Sequence, residues 1–154
     1  HESTRGVIVD DMKDSPLVRG CEDVWGVTDV YTVRLPLPDR CRPVVLGQVL
    51  SGMNPTDPPV DGPKNDPMMP VAWINAYQGD NGQTGRVFTT TMGASVDLAN
   101  EGLRRLLVNA AYWCVGLEGR IPPRADVGFV GRYEPSPFGF FDKKNAAVKP
   151  SDLK

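Results

Sequence analysis

Residues 85–114 read GRVFTTTMGASVDLANEGLRRLLVNAAYWC, and this stretch decides the fold class. Residues 86–91 (RVFTTT) are rich in β-branched side chains, which suit a strand. A glycine turn at Gly93 follows. Leu103, Leu106, Leu107, Ala110, Trp113 and Cys114 then recur at helical spacing and form one apolar stripe. Asn100 suits the N-cap, Glu101 the positive end of the helix, and Gly116 its C-terminal stop. Arg104, Arg105 and Asn109 fall off the stripe. A strand running into a packed helix predicts an α/β unit.

The neighbouring segments extend this pattern. Residues 71–77 (VAWINAY) read as a strand, and residues 78–85 (QGDNGQTG) as a glycine-rich turn. Together with residues 86–91 they predict a hairpin. Residues 44–50 (VVLGQVL) are almost continuously apolar, as in a strand covered on both faces. Residues 30–35 (VYTVRL) alternate apolar and polar, as in a half-buried strand. Residues 5–9 (RGVIV) also read as a strand. Residues 51–70 hold six prolines among Asn, Asp and Gly, which forbids helix or central strand and predicts a long surface loop. Loops of this length are uncommon without a role. After the helix come IPPR, VGFVGRY and PSPFGFF, and residues 142–154 form a polar tail expected to be loosely held.

Composition narrows the function. The 154 residues include 16 glycines and 15 prolines, about a fifth of the chain and above the ~12% of average usage. That excess marks a loop-rich globular unit. Lys and Arg number 17 against 19 Asp and Glu, a net charge of 17 − 19 = −2. This balance argues against a nucleic-acid partner reached through a basic face. No apolar run approaches the ~20 residues that span a bilayer. The chain opens on His1 and enters a strand almost at once, and only one firm helix is visible. The expectation is therefore the latter part of a larger domain, incomplete at its N-terminus.

The chemistry-bearing residues are few. His1 is the sole histidine, so no Ser/His/Asp or Cys/His/Glu triad can come from the interior of the sequence. No metal ligand set is expected, because no CxxC spacing occurs among Cys21, Cys41 and Cys114. Cys114 lies on the apolar helix stripe and is expected to pack in the core. Cys21 and Cys41 could pair. No cofactor fingerprint is present: P-loop, dinucleotide motif, nucleophile elbow and calcium loop are all missing.

Asp29 and Tyr31 would share one face of an extended strand, where they could hold a sugar hydroxyl or orient a water. Thr91, Gly93 and Ser95 stand where a strand passes through a turn toward a helix, the place where α/β sheets bind ligands. Gly93 permits the tight turn, and the hydroxyls or backbone N–H groups there could serve an anion. Trp73 reads as a core residue or as a platform for a sugar ring. Tyr133 and Phe138 could cover a neighbour.

Residues 70–118, from PVAWINAYQGDNGQTGRVF through the helix to GLE, resemble the C-terminal half of ThuA-like domains, the trehalose-utilisation family. The family's PVAW strand, its G-R-V-F-x-T strand, its L-G-H-like turn and its F-R-R-L-L-x-N-A-x-x-W helix have counterparts at residues 70–73, 85–90, 92–94 and 103–113. DSPLVRG and TDVY resemble the family's H-P-I-x-x-G and D-E-x-Y regions. The resemblance covers most of residues 5–118.

It implies a flavodoxin-like, three-layer α/β fold of the class I glutamine amidotransferase-like superfamily, with residues 1–141 as the latter part of one domain. It also implies a role in binding or transforming a carbohydrate-derived small molecule. Asp29 would act as acid/base or hydroxyl-binding group, Tyr31 as a hydrogen-bond partner, and the Gly93 turn as a backbone-donor cradle. Ala94 stands where the family commonly places histidine, so a glutaminase-type triad is not expected. The rival reading is a non-catalytic ligand-binding or interaction domain that keeps the fold. A homo-oligomer is a separate expectation. The resemblance also implies a secreted or periplasmic setting.

Overall fold

The structure, a computed structural model, describes residues 2–137. His1, Phe138 and the polar tail at 142–154 lie outside the described residues. Five strands form one sheet: β1 (Ser3–Ile8), β2 (Trp25–Gly26), β3 (Arg42–Leu50), β4 (Met69–Gln78) and β5 (Thr84–Thr90). Their spatial order is β2-β1-β3-β4-β5, and every neighbouring pair is antiparallel. One helix, α1 (Glu101–Cys114), packs on the sheet. The result is a mixed α/β unit of one antiparallel sheet and one helix. The parallel strands and helices on both faces that a flavodoxin-like fold requires are not seen among the described residues.

The hairpin forms as its sequence predicts. Gly79 N–H donates to the Gln83 carbonyl at 2.8 Å, and Gly82 takes a φ of +78° that glycine tolerates without strain. The helix is capped as expected at both ends. The Asn100 side chain accepts from Leu103 N–H at 2.7 Å and also from Trp25 N–H at 3.3 Å. At the far end Gly116 has φ +76°, its N–H meets the Trp113 carbonyl, and Leu117 N–H meets that of Tyr112. That pair of bonds is a Schellman closure.

The core lies between α1 and one face of the sheet. Leu103, Leu106 and Ala110 press on Val24, Val44, Val45, Val71 and Ala72, with Met12, Leu17 and Val18 closing the side. The register shifts around Val45 let the consecutive Val44 and Val45 both be buried. The long loop is fastened to the sheet by polar side chains. Asn65 stands in for a strand beside Val49, accepting from its N–H at 2.8 Å and donating to its carbonyl at 2.9 Å. Arg5 donates to the carbonyls of Pro55 and Asp57.

Three expectations need correction. Residues 30–35 form no strand. β1 and β3 already have neighbours on both sides, so no ladder position is open to this segment inside the sheet. Its first residue, Val30, instead packs on the core beside Gly47. A Cβ on Gly47 would come within 2.9 Å of Val30 Cγ2 and 2.5 Å of Val71 Cγ1. The alternation does not become one-sided burial either: Tyr31 and Leu35 are exposed, and only Val30 and Val33 are half-buried. Second, Arg105 and Asn109 are buried although they fall off the apolar stripe. A 3-10 turn with the chain that follows it (17–21) and the irregular segment 121–127 cover that side of the helix, and their carbonyls need donors. Third, Cys114 is only half-buried. Cys21 and Cys41 are both free, and burial pushes the Cys21 thiol up to about 11.

Gly102 gives a test of how tertiary contact overrides local preference. A Cβ there would stand 2.7 Å from the Asp23 carbonyl carbon and 2.8 Å from its oxygen. Alanine improves helix propensity by about 1 kcal/mol. Overpacking against fixed backbone costs about 1–3 kcal/mol. Gly102→Ala is therefore expected to lower the melting temperature by several degrees. Gly119→Ala, with nothing within 4 Å of its Cβ position, is expected to leave it nearly unchanged. A Gly102→Ala protein melting above the parent would refute the close approach.

Candidate functional site

Asp97 organises the site. It is 1% exposed and sits just before α1. One oxygen accepts from the N–H groups of Gly93 and Ala94, both at 3.1 Å, and from the Thr28 hydroxyl. The other accepts from Thr28 N–H at 3.1 Å. One buried carboxylate thus ties the 93–94 turn to the segment leaving β2. Gly26 makes room for it, since a Cβ at residue 26 would lie 2.6 Å from Asp97 Oδ1. Thr4 adds a second tie through its hydroxyl, which donates to the Thr28 carbonyl at 2.5 Å.

This arrangement opens a cleft of about 830 Å³. Its walls carry Thr28, Asp29 and Tyr31 on one side and Ala94 and Val96 on the other. Glu2, Val27, Met53 and Pro137 complete it. Tyr31 presents its ring to solvent at 55% exposure, and Asp29 is also exposed. A carboxylate, a hydroxyl and an open aromatic ring therefore stand together with the apolar side chains of Val27, Met53, Val96 and Pro137. Such a mixture binds small molecules that carry both polar groups and apolar faces.

The expected site residues divide. Asp29 and Tyr31 line the cleft, although an irregular segment carries them rather than a strand. Gly93 and Ser95 flank it through their neighbours Ala94 and Val96. The expected backbone-donor cradle is real in geometry, but its N–H groups already donate to Asp97 and are closed to an external anion. The Ser95 hydroxyl is likewise engaged, donating to the Ser136 carbonyl at 2.9 Å. Thr91 does not line the cleft, and its hydroxyl is buried without a hydrogen-bond partner. Trp73 lies on the opposite sheet face, because it alternates with Ala72 and Ile74, which pack toward the helix. It cannot serve as a platform here.

Tyr133, expected to cover a neighbour, does so. Its hydroxyl donates to the Ser95 carbonyl at 2.5 Å, and its ring stacks on Phe129 with centroids 4.6 Å apart. The Arg104 guanidinium lies over the Phe129 ring at 3.9 Å. This clasp brings the chain to Pro137 at the cleft wall.

Sequence reasoning missed Asp97, Glu2 and Met53. Asp97 had a legible signal, a carboxylate three and four residues beyond a glycine turn, where it can accept from the turn's N–H groups. Glu2 and Met53 had none, since only the path of the long loop brings them there. Among the described residues, no cluster of three or more His, Cys, Asp or Glu side chains is placed to hold a metal ion, and no helix is long and apolar enough to cross a membrane.

The fold and the site together define an α/β sheet-and-helix unit with a polar, aromatic-edged cleft beside the sheet. Comparison with protein-family models, curated proteins and solved structures finds no match to this chain.

Proposed function

We propose that the chain is a ligand-binding domain that holds a hydroxyl-rich, carbohydrate-derived small molecule beside Asp29 and Tyr31 without converting it. The observation that carries this reading is the cleft of about 830 Å³ in which these two side chains stand together. A carboxylate accepts hydroxyl hydrogen bonds strongly, and an exposed ring covers an apolar sugar face. The resemblance to ThuA-like, trehalose-utilisation domains supports the same ligand class.

The catalytic alternative makes Asp29 an acid/base and Tyr31 its partner. Stabilising developing negative charge needs donors aimed into the cleft. The Gly93 and Ala94 N–H groups that could have supplied them are held by Asp97. Chemistry that builds negative charge is therefore disfavoured, and binding is the reading carried forward.

A thermal-shift screen of sugars followed by calorimetry tests the proposal. At least one sugar is expected to raise the melting temperature, with no product detectable by NMR. Asp29→Ala is expected to weaken its binding about ten-fold or more, the loss of a hydrogen bond to a charged group worth about 1.5–3 kcal/mol. Tyr31→Ala is expected to weaken it by a similar factor. Binding indifferent to both substitutions would sink the site assignment, and turnover would move the reading to the catalytic alternative.

A further inference from the structure

A second crevice of about 390 Å³ lies on the other side of the Asp29 segment. It is walled by Val30, Thr32, Pro63, Lys64 and Met69, among others. Glu2 and Asp29 line both this crevice and the larger cleft, so the two meet along that pair of carboxylates. Each volume falls within the roughly 300–1,000 Å³ of small-molecule sites, and each can take a separate ring-sized group.

The second crevice has its own recognition chemistry. Lys64 Nζ reaches both oxygens of Glu2, at 2.7 and 2.6 Å, which fixes an ammonium and a carboxylate at the rim. Thr32 adds an exposed hydroxyl. Val30, Pro63 and Met69 supply an apolar wall. Polar groups at the rim over an apolar wall repeat the character of the first cleft, where Tyr31 and Met53 supply the apolar surface.

We infer that the two crevices form one groove for an oligosaccharide, with Asp29 contacting the ligand at the junction between adjacent sugar units. This rests on the carbohydrate-binding reading above and goes further by assigning a ligand longer than one sugar. The long proline-rich loop then has a role, since it contributes Met53 to one end of the groove and Pro63 and Lys64 to the other. A single sugar would occupy one crevice and leave the other to water.

Calorimetric titration of the chain with glucose, galactose, maltose, cellobiose, trehalose, lactose and maltotriose tests this. Affinity is expected to rise about ten-fold or more from the best monosaccharide to the best oligomer. In Lys64→Ala the ratio of oligomer to monosaccharide affinity is expected to fall toward one. Thr32→Trp, a substitution at an exposed position that fills the second crevice, is expected to reduce the same ratio. A monosaccharide that binds through Asp29 and Tyr31 with no gain on lengthening would overturn the groove and leave the cleft standing. A gain on lengthening that survives both substitutions would also overturn it. No binding by any of these sugars would defeat the carbohydrate reading itself, and the groove with it.

Discussion

Asp97→Ala is expected to lose about 3–5 kcal/mol of stability, the largest effect of any single substitution considered for this chain. Three backbone N–H groups and one hydroxyl would lose their acceptor together. An unsatisfied buried donor costs about 1–3 kcal/mol. Gly93 and Ala94 are exposed and water can rescue them, so the total stays below four full penalties. For a chain of this length the melting temperature should fall by roughly 10 °C. Asp97→Asn should lie between the parent and the alanine variant, since its amide keeps one acceptor and turns two hydrogens toward other donors. Sugar binding should fail in the alanine variant even well below its melting temperature, because the 93–94 turn and the Thr28–Tyr31 segment are no longer tied. Thermal denaturation decides the matter, and a stability change under about 1 kcal/mol would show that the carboxylate is not the organiser.

Arg105→Met is the second large effect, expected at about 2–4 kcal/mol. The guanidinium is buried and donates to the carbonyls of Ala125 and Gly20, both at 2.9 Å, and to Glu101. Methionine fills much of the space but donates nothing, so two carbonyls in irregular segments lose their donors. Glu101 is half exposed and is not stranded. Its contact with Arg105 holds the Glu101 carboxyl below its ordinary value near 4.5, and Arg124 helps. A lowered carboxyl pKa adds stability that is present above about pH 4.5 and is lost as the pH falls through the folded-state value. In Arg105→Met that acid-side loss should shrink. Denaturant melts at pH 7 and pH 3.5 measure both effects. A variant as stable as the parent at pH 7 would mean that these loops need no donor from the helix.

The regular elements were legible because their causes are local. The hairpin could be read from β-branched runs flanking a glycine turn. The helix could be read from its stripe, its Asn100 cap and its Gly116 stop, and each of these acts within one or two turns of the chain. Residues 30–35 misled because alternation says nothing about backbone partners, and without a ladder to hold the segment Tyr31 and Leu35 stay exposed. Arg105 and Asn109 misled because a helical stripe describes contact with one surface, while this helix meets two.

For the site, the sequence by itself singled out Asp29 and Tyr31, as a pair on a strand that does not form, and the Gly93 turn. It could not assign the turn's donors, because the acceptor that takes them, Asp97, also bonds Thr28, 69 residues away in the chain. Nor could it exclude Trp73, whose face depends on which side of the sheet the helix covers. Local composition and spacing fixed the strands of the hairpin, the helix and its caps. The antiparallel sheet order, the burial of Arg105, and the meeting of Glu2, Asp29 and Met53 at one cleft were decided only by long-range packing. The reason is that each depends on a partner supplied by a distant segment.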